Sequence, residues 1–246
     1  MRYFLEIAYR GTDFHGWQVQ HNAHSVQGEL NKCLSTLLQT EITTTASGRT
    51  DTGVHCKQQF VHIDLEEAID TDQLCFKLNK LLPESIHIAR IFPVKDDAHA
   101  RFSALDRSYQ YFISKEKNPF LHNLCYFNNA SLDIAAMNEA AKVLLSWTDF
   151  ESFSKVKTSV YTFDCKITEA YWEQKEDLLI FNITANRFLR GMVRAIVGTL
   201  LEVGKGKLKV EDFQAILAAK DRKKAGRSVP PEGLFLTKVT YPTDIF

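Results

Sequence analysis

The 246-residue chain predicts an α+β fold made of two similar halves. Three observations carry that reading. Strand-like runs with period-two alternation are interleaved with amphipathic runs of helical period. The order β-α-β-β-α-β occurs in the first half and roughly recurs in the second. Apolar residues make up 45% of the chain, enough for a real core, with no low-complexity segment or long linker between them. Two split-βαβ halves of this kind can join their sheets edge to edge into one wide, mostly antiparallel sheet.

Tyr3 to Tyr9 reads as the first strand. Ser25 to Leu38 reads as a helix: Val26, Leu30, Cys33, Leu34, Leu37 and Leu38 share a face, and Ser25 suits an N-cap. Ile42 to Ala46 and Gln58 to Ile63 are β-like runs. Thr71 to Leu82 is a second helix, stopped by Pro83, and Ile86 to Val94 is the last strand of the half. In the second half Ser108 to Ser114 alternates as a strand, and Ile134 to Leu145 is helical. Thr168 to Gln174 and Leu178 to Ala185 form a hairpin. Phe188 to Val203 is helical, a short helix follows at Glu211 to Ala219, and Leu234 to Tyr241 closes as a strand. The boundary is expected between residues 103 and 107, which divides the chain into 1–104 and 105–246.

Thirty basic residues balance thirty acidic ones. The chain therefore lacks the strongly basic balance of many nucleic-acid binders, and any RNA surface must come from segregated charge. Five cysteines are widely spaced with no C-x-x-C, which reads as reduced thiols in a cytosolic protein rather than a disulfide framework or a zinc site. Glu6 and Arg10 interrupt the apolar start, so no signal-peptide core is expected. No run approaches the roughly 18 apolar residues of a membrane span.

The stretch Ser47-Gly48-Arg49-Thr50-Asp51-Thr52-Gly53-Val54-His55 lies between two β-like runs. Its glycines permit a tight turn or close backbone approach. A carboxylate on such a turn, two residues from a guanidinium, can act as an ion-paired nucleophile or a base. The same composition also describes a polar hairpin loop with a surface Asp.

The stretch resembles the signature of the bacterial tRNA pseudouridine synthase A family. Further blocks resemble that family in order: YRGTDFHGWQ from Tyr9 to Gln18, Ser25-Val26-Gln27, Ala98-His99-Ala100-Arg101-Phe102, RSYQY from Arg107 to Tyr111, NRFLRGMVRAIVG from Asn186 to Gly198, Glu232-Gly233-Leu234 and Tyr241-Pro242. The resemblance covers nearly the whole chain. It implies the pseudouridine synthase fold, with the active cleft between the halves. It also implies an isomerase that converts uridine to pseudouridine in the anticodon stem-loop of tRNA, at positions 38 to 40, without a cofactor. Asp51 is the implied nucleophile, attacking C6 of the uracil or C1′ of the ribose. A homodimer in which both subunits contact one tRNA is implied too.

A buried carboxylate needs a partner to stay ionised. Arg194 matches the family's Arg, and its neighbours Met192, Val193, Ile196 and Val197 are apolar, an unnatural setting for a solvated Arg. Tyr109, Tyr111 and Ile113 share one strand face. Tyr111 reads as core. Tyr109 matches the Tyr that the resemblance places on the target base, where its hydroxyl could take part in the C5 proton step. A stem uridine must flip out to react. Arg49 is placed to fill the gap, or equally to contact phosphate or pair within its loop. His99, Ala100, Arg101 and Phe102 resemble the family's RNA-contact segment. Arg187, Arg190, Lys205, Lys207, Lys209, Arg222, Lys223, Lys224 and Arg227 cluster toward the carboxy terminus, as solvated faces or as a phosphate track. His15 and His55 lack Cys, Asp or Glu partners at ligand spacing, so no metal is expected. Tyr161 stands where the family often has a basic residue. A silent RNA-binding module would not need Asp51, Tyr109 and Arg194 together. A hydrolase of N-glycosidic bonds would want a second carboxyl, and none accompanies Asp51 in its loop.

Overall fold

A computed structural model describes residues 1–156 and 160–245. Contacts divide the chain into two compact units, Met1–Asp106 with Phe235–Phe246, and Arg107–Leu234. Among the described residues there are nine strands and five α-helices, mostly in antiparallel pairs, so the α+β expectation is borne out.

The first unit begins with β1 (Arg2–Tyr9), α1 (Val26–Leu38), β2 (Thr45–Ala46), β3 (His55–Asp64), α2 (Thr71–Leu81) and β4 (Ile86–Val94). β1 lies between β3 and β4 and is antiparallel to both. Tyr3, Phe4, Leu5, Ile7 and Tyr9 are all buried, as a central strand covered on both faces requires. Ser25 caps α1 as expected, its hydroxyl accepting from the Gly28 N–H at 3.2 Å. α2 stops one residue before Leu82, which precedes Pro83 and is extended, as a residue before proline prefers.

The expected strand over Ile42 to Ala46 shrinks to Thr45–Ala46. The cause is competition from α1. Ser35 Oγ accepts the Ile42 N–H at 2.8 Å, Asn31 Oδ1 accepts the Thr44 N–H at 3.1 Å, and Gln27 Nε2 donates to the Thr44 carbonyl at 2.8 Å. Helix side chains thus take the backbone groups that a ladder would use.

The second unit contains β5 (Asp106–Ser114), β6 (Tyr126–Phe127), α3 (Ile134–Val143), β7 (Ile167–Lys175), β8 (Leu178–Ala185), α4 (Met192–Gly204) and α5 (Val210–Ala218). β8 pairs antiparallel with both β5 and β7, and β7 and β8 form the expected hairpin. α4 is the core helix: every residue in it but Arg194 and Glu202 is buried. It starts later than the expected Phe188, because Gly191 turns the chain into the left-handed region at φ 72° immediately before it. Arg194 therefore sits in the first turn.

The last strand, β9 (Leu234–Thr240), returns to the first unit. It pairs parallel with β3, His55 opposite Phe235 and Cys56 opposite Leu236. The sequence division at 104/105 groups this segment with the second half. Nothing in its own pattern says which partner it will find. No helix of the described residues is long and apolar enough to cross a membrane.

Candidate active site

Asp51 lies half-buried on the loop between β2 and β3, within the first unit. The segment after β1 wraps this loop and holds it by main-chain bonds. The Trp17 N–H donates to the Thr50 carbonyl at 3.1 Å, and the Gly53 N–H donates to the Phe14 carbonyl at 3.3 Å. Within the loop the Val54 N–H donates to the Asp51 carbonyl at 3.1 Å. The Gly11 N–H donates to Nδ1 of buried His55 at 3.1 Å. That ring stacks on Phe235 at 4.4 Å.

The approach is too close for side chains. A Cβ at Gly11 would stand 2.0 Å from the Val54 carbonyl oxygen. One at Gly16, at φ +87°, would stand 2.6 Å from the Thr50 carbonyl oxygen. The YRGTDFHGWQ block is therefore the loop's cradle, a role not assigned to it from sequence. Its two glycines, spaced around an aromatic, were the available signal. Arg49 is exposed on the same loop.

In the second unit Tyr109 is half-buried and meets Phe188 edge to face, with centroids 5.1 Å apart. Arg107 Nη1 donates to the Asn186 carbonyl at 2.8 Å, so the RSYQY strand grips the NRF stretch twice. Asn186 also accepts the Lys166 N–H on its Oδ1 at 2.8 Å. Arg187, Phe188 and Arg190 thus project from a pinned segment. Arg194 Nε donates to the Val229 carbonyl at 2.7 Å, and the next carbonyl, of Pro230, accepts the Tyr111 hydroxyl at 2.8 Å. Tyr111 is fully buried, as expected of core, and burial pushes its phenol pKa up.

His99, Ala100, Arg101 and Phe102 form a tight turn in the first unit. His99 Nδ1 accepts the N–H groups of Arg101 at 3.0 Å and Phe102 at 3.2 Å. His62 Nδ1 accepts the Ala100 N–H at 3.1 Å, and the Tyr241 hydroxyl donates to the Ala100 carbonyl. This arrangement buries Ala100 and exposes Arg101 and Phe102. Both imidazoles must be neutral to accept. Burial, then the nearby Arg2 charge, lowers the His62 pKa to about 4. Burial, then Arg2 and Arg101, lowers that of His99.

Because folding favours neutral His62, its contribution is complete above the unfolded pKa of about 6.5 and drains away as pH falls toward about 4. The urea midpoint of wild type should therefore fall relative to that of His62→Gln between those pH values. A constant difference would contradict a neutral His62.

The basic cluster is less uniform than its sequence suggests. Lys205 and Lys207 both pair with Glu202, at 2.9 and 3.0 Å, and hold its pKa down. Arg222 donates to the Gly226 carbonyl and Ser228 Oγ, both at 3.0 Å, bracing its own loop. Arg190, Lys209, Lys223, Lys224 and Arg227 remain exposed, and Arg187 is half-exposed. Tyr161 is fully exposed.

Taken unit by unit, this is an α+β protein whose candidate groups for chemistry are a carboxylate on a braced loop, a pinned arginine in a helix's first turn and a half-exposed strand tyrosine. The sequence model of the tRNA pseudouridine synthase family matches residues 7–103 and 140–242. A tRNA pseudouridine synthase A from Parabacteroides distasonis is 49% identical over 246 residues, covering 100% of this chain and 98% of that protein. Its counterpart in Bacteroides thetaiotaomicron is 50% identical, covering 100% of this chain and 92% of that protein. The Bacillus subtilis protein of the same name is 40% identical, over 98% of this chain and 99% of its own. The chain belongs to the tRNA pseudouridine synthase family.

Proposed function

We propose that the protein isomerises uridine to pseudouridine in the anticodon stem-loop of tRNA, at positions 38 to 40, with Asp51 as nucleophile. The observation that carries this reading is the braced loop: backbone bonds at Thr50, Asp51 and Gly53 hold the main chain that bears the Asp51 carboxylate. Preorganisation of this kind spares the reaction the cost of orienting its nucleophile.

The isomerisation breaks the N1–C1′ bond and forms a C5–C1′ bond. A proton leaves C5 and one is gained at N1. Substrate and product contain the same atoms, so stoichiometry asks for no redox partner or nucleoside triphosphate. Attack by Asp51 at C6 or at C1′ leads to the same product. Tyr109 stacks on the flipped base, worth roughly 1–3 kcal/mol. Arg194 supplies the positive charge that offsets that of the carboxylate. Arg49 fills the vacated place in the stem. Arg187, Arg190 and the His99 to Phe102 turn contact RNA. Two copies act on one tRNA in the cytoplasm.

Mass-spectrometric mapping of tRNA after incubation with the purified protein tests the reading. Pseudouridine in the anticodon stem-loop supports it. Free uracil would make the protein a hydrolase, and unchanged uridine a binder. Arg194→Met should slow turnover by about a hundredfold or more, since it removes the positive charge that this reading sets against the Asp51 carboxylate. Turnover within a few-fold of wild type would remove Arg194 from the mechanism. Light scattering at micromolar concentration should give twice the 28.1 kDa subunit mass. A monomer active at full rate would refute the shared site.

A further inference from the structure

We infer that Tyr9 and Thr50 form a positioning pair that sets the direction of the Asp51 carboxylate. This rests on the reading of Asp51 as the catalytic residue. Tyr9 ends β1, where the strand is irregular on both sides: its register shifts against β4 between Glu6 and Ile7, and against β3 between Ile7 and Tyr9. Such bulges re-aim side chains and gather next to active sites. Here the result is a tyrosine only 5% exposed whose hydroxyl meets Thr50 Oγ1 at 2.8 Å.

Gln59 is fully buried on β3, and its Nε2 donates to the same hydroxyl at 3.4 Å. Tyr9 and Thr50 thus share a hydroxyl–hydroxyl hydrogen bond, in which either oxygen can donate. A core ring alone would ask only for phenylalanine. The hydroxyl, carried into the interior, needs this partner.

Thr50 is itself 8% exposed and immediately precedes Asp51. Its carbonyl is held by the Trp17 N–H at 3.1 Å, and the carbonyl of Asp51 by the Val54 N–H at 3.1 Å. Those bonds fix the peptide planes on both sides of the Asp51 α-carbon. The Tyr9 bond fixes the remaining freedom, the rotation of the Thr50 side chain against the sheet. The backbone that carries the Asp51 side chain is therefore positioned relative to β1. The pair touches no substrate and acts through Asp51.

The test uses the full-length protein and a tRNA transcript, measuring the single-turnover rate of pseudouridine formation and, separately, tRNA affinity. Tyr9→Phe keeps the ring and loses the hydroxyl. Thr50→Val keeps the shape and loses the other partner. Each should slow the chemical step about tenfold or more while affinity changes by less than about twofold, since small misplacements of a reacting group act on rate. The double variant should be no slower than the slower single variant, because both remove one interaction. Thr50→Ser, which keeps the hydroxyl, should recover most of the rate.

Full rate in Tyr9→Phe, losses that multiply in the double variant, or a rate loss wholly explained by weaker tRNA binding would each overturn the pairing. If Thr50→Val does not fold, Tyr9→Phe and Thr50→Ser carry the test. Failure of the underlying reading looks different: wild type would make no pseudouridine, or Asp51→Asn would work at full rate.

Discussion

Asp51→Asn should abolish pseudouridine formation, by roughly a thousandfold or more, while tRNA affinity and thermal stability stay close to wild type. The substitution conserves shape. It replaces a charged oxygen nucleophile with a neutral amide that cannot form the covalent intermediate. The loop bonds described here at this position, Trp17 to Thr50 and Val54 to Asp51, use main-chain atoms and survive the change. Single-turnover kinetics with a parallel binding isotherm separates the two effects. Near-normal turnover in the variant would sink the mechanism. A matching collapse of affinity would make Asp51 a binding group instead.

Gly11→Ala should cost both activity and stability, although Gly11 carries no chemistry. Its added Cβ would lie 2.0 Å from the Val54 carbonyl oxygen and 2.6 Å from the carbonyl carbon. Both are backbone atoms of the loop's exit, so no flexible side chain can yield. Either β1's extension or the Asp51 loop must move. A shift on the order of 1 Å at a catalytic group can cost about a hundredfold in rate. The overpacking should lower stability by about 1–3 kcal/mol. Gly48→Ala is the steric control: its Cβ meets nothing within 4 Å, and it should melt like wild type. If Gly11→Ala melts and turns over like wild type, the close approach is not holding the loop.

Much of the local structure was legible because its causes are local. Ser25 capping α1 and Pro83 ending α2 follow from side chains within a few residues of the effect. Tyr111 was recognisable as core because strand alternation sets it beside Ile113. The misreadings also share a cause. Ile42 to Thr44 has a strand's composition, but α1 side chains claim its backbone groups. Phe188 to Gly191 has a helix's apolarity, but Gly191 at φ 72° starts the helix after it.

By itself the sequence determined the α+β class, most of the elements and the family, because composition, period and motif are properties of contiguous residues. Tertiary structure alone decided how the Asp51 loop and the His99 to Phe102 turn are held. Gly11 touches Val54, Tyr9 reaches Thr50, His62 accepts from Ala100, and Phe235 stacks on His55. Each pairing joins residues dozens to more than a hundred positions apart. Their hydrogen-bonding and packing requirements are met only when the sheet brings the strands together.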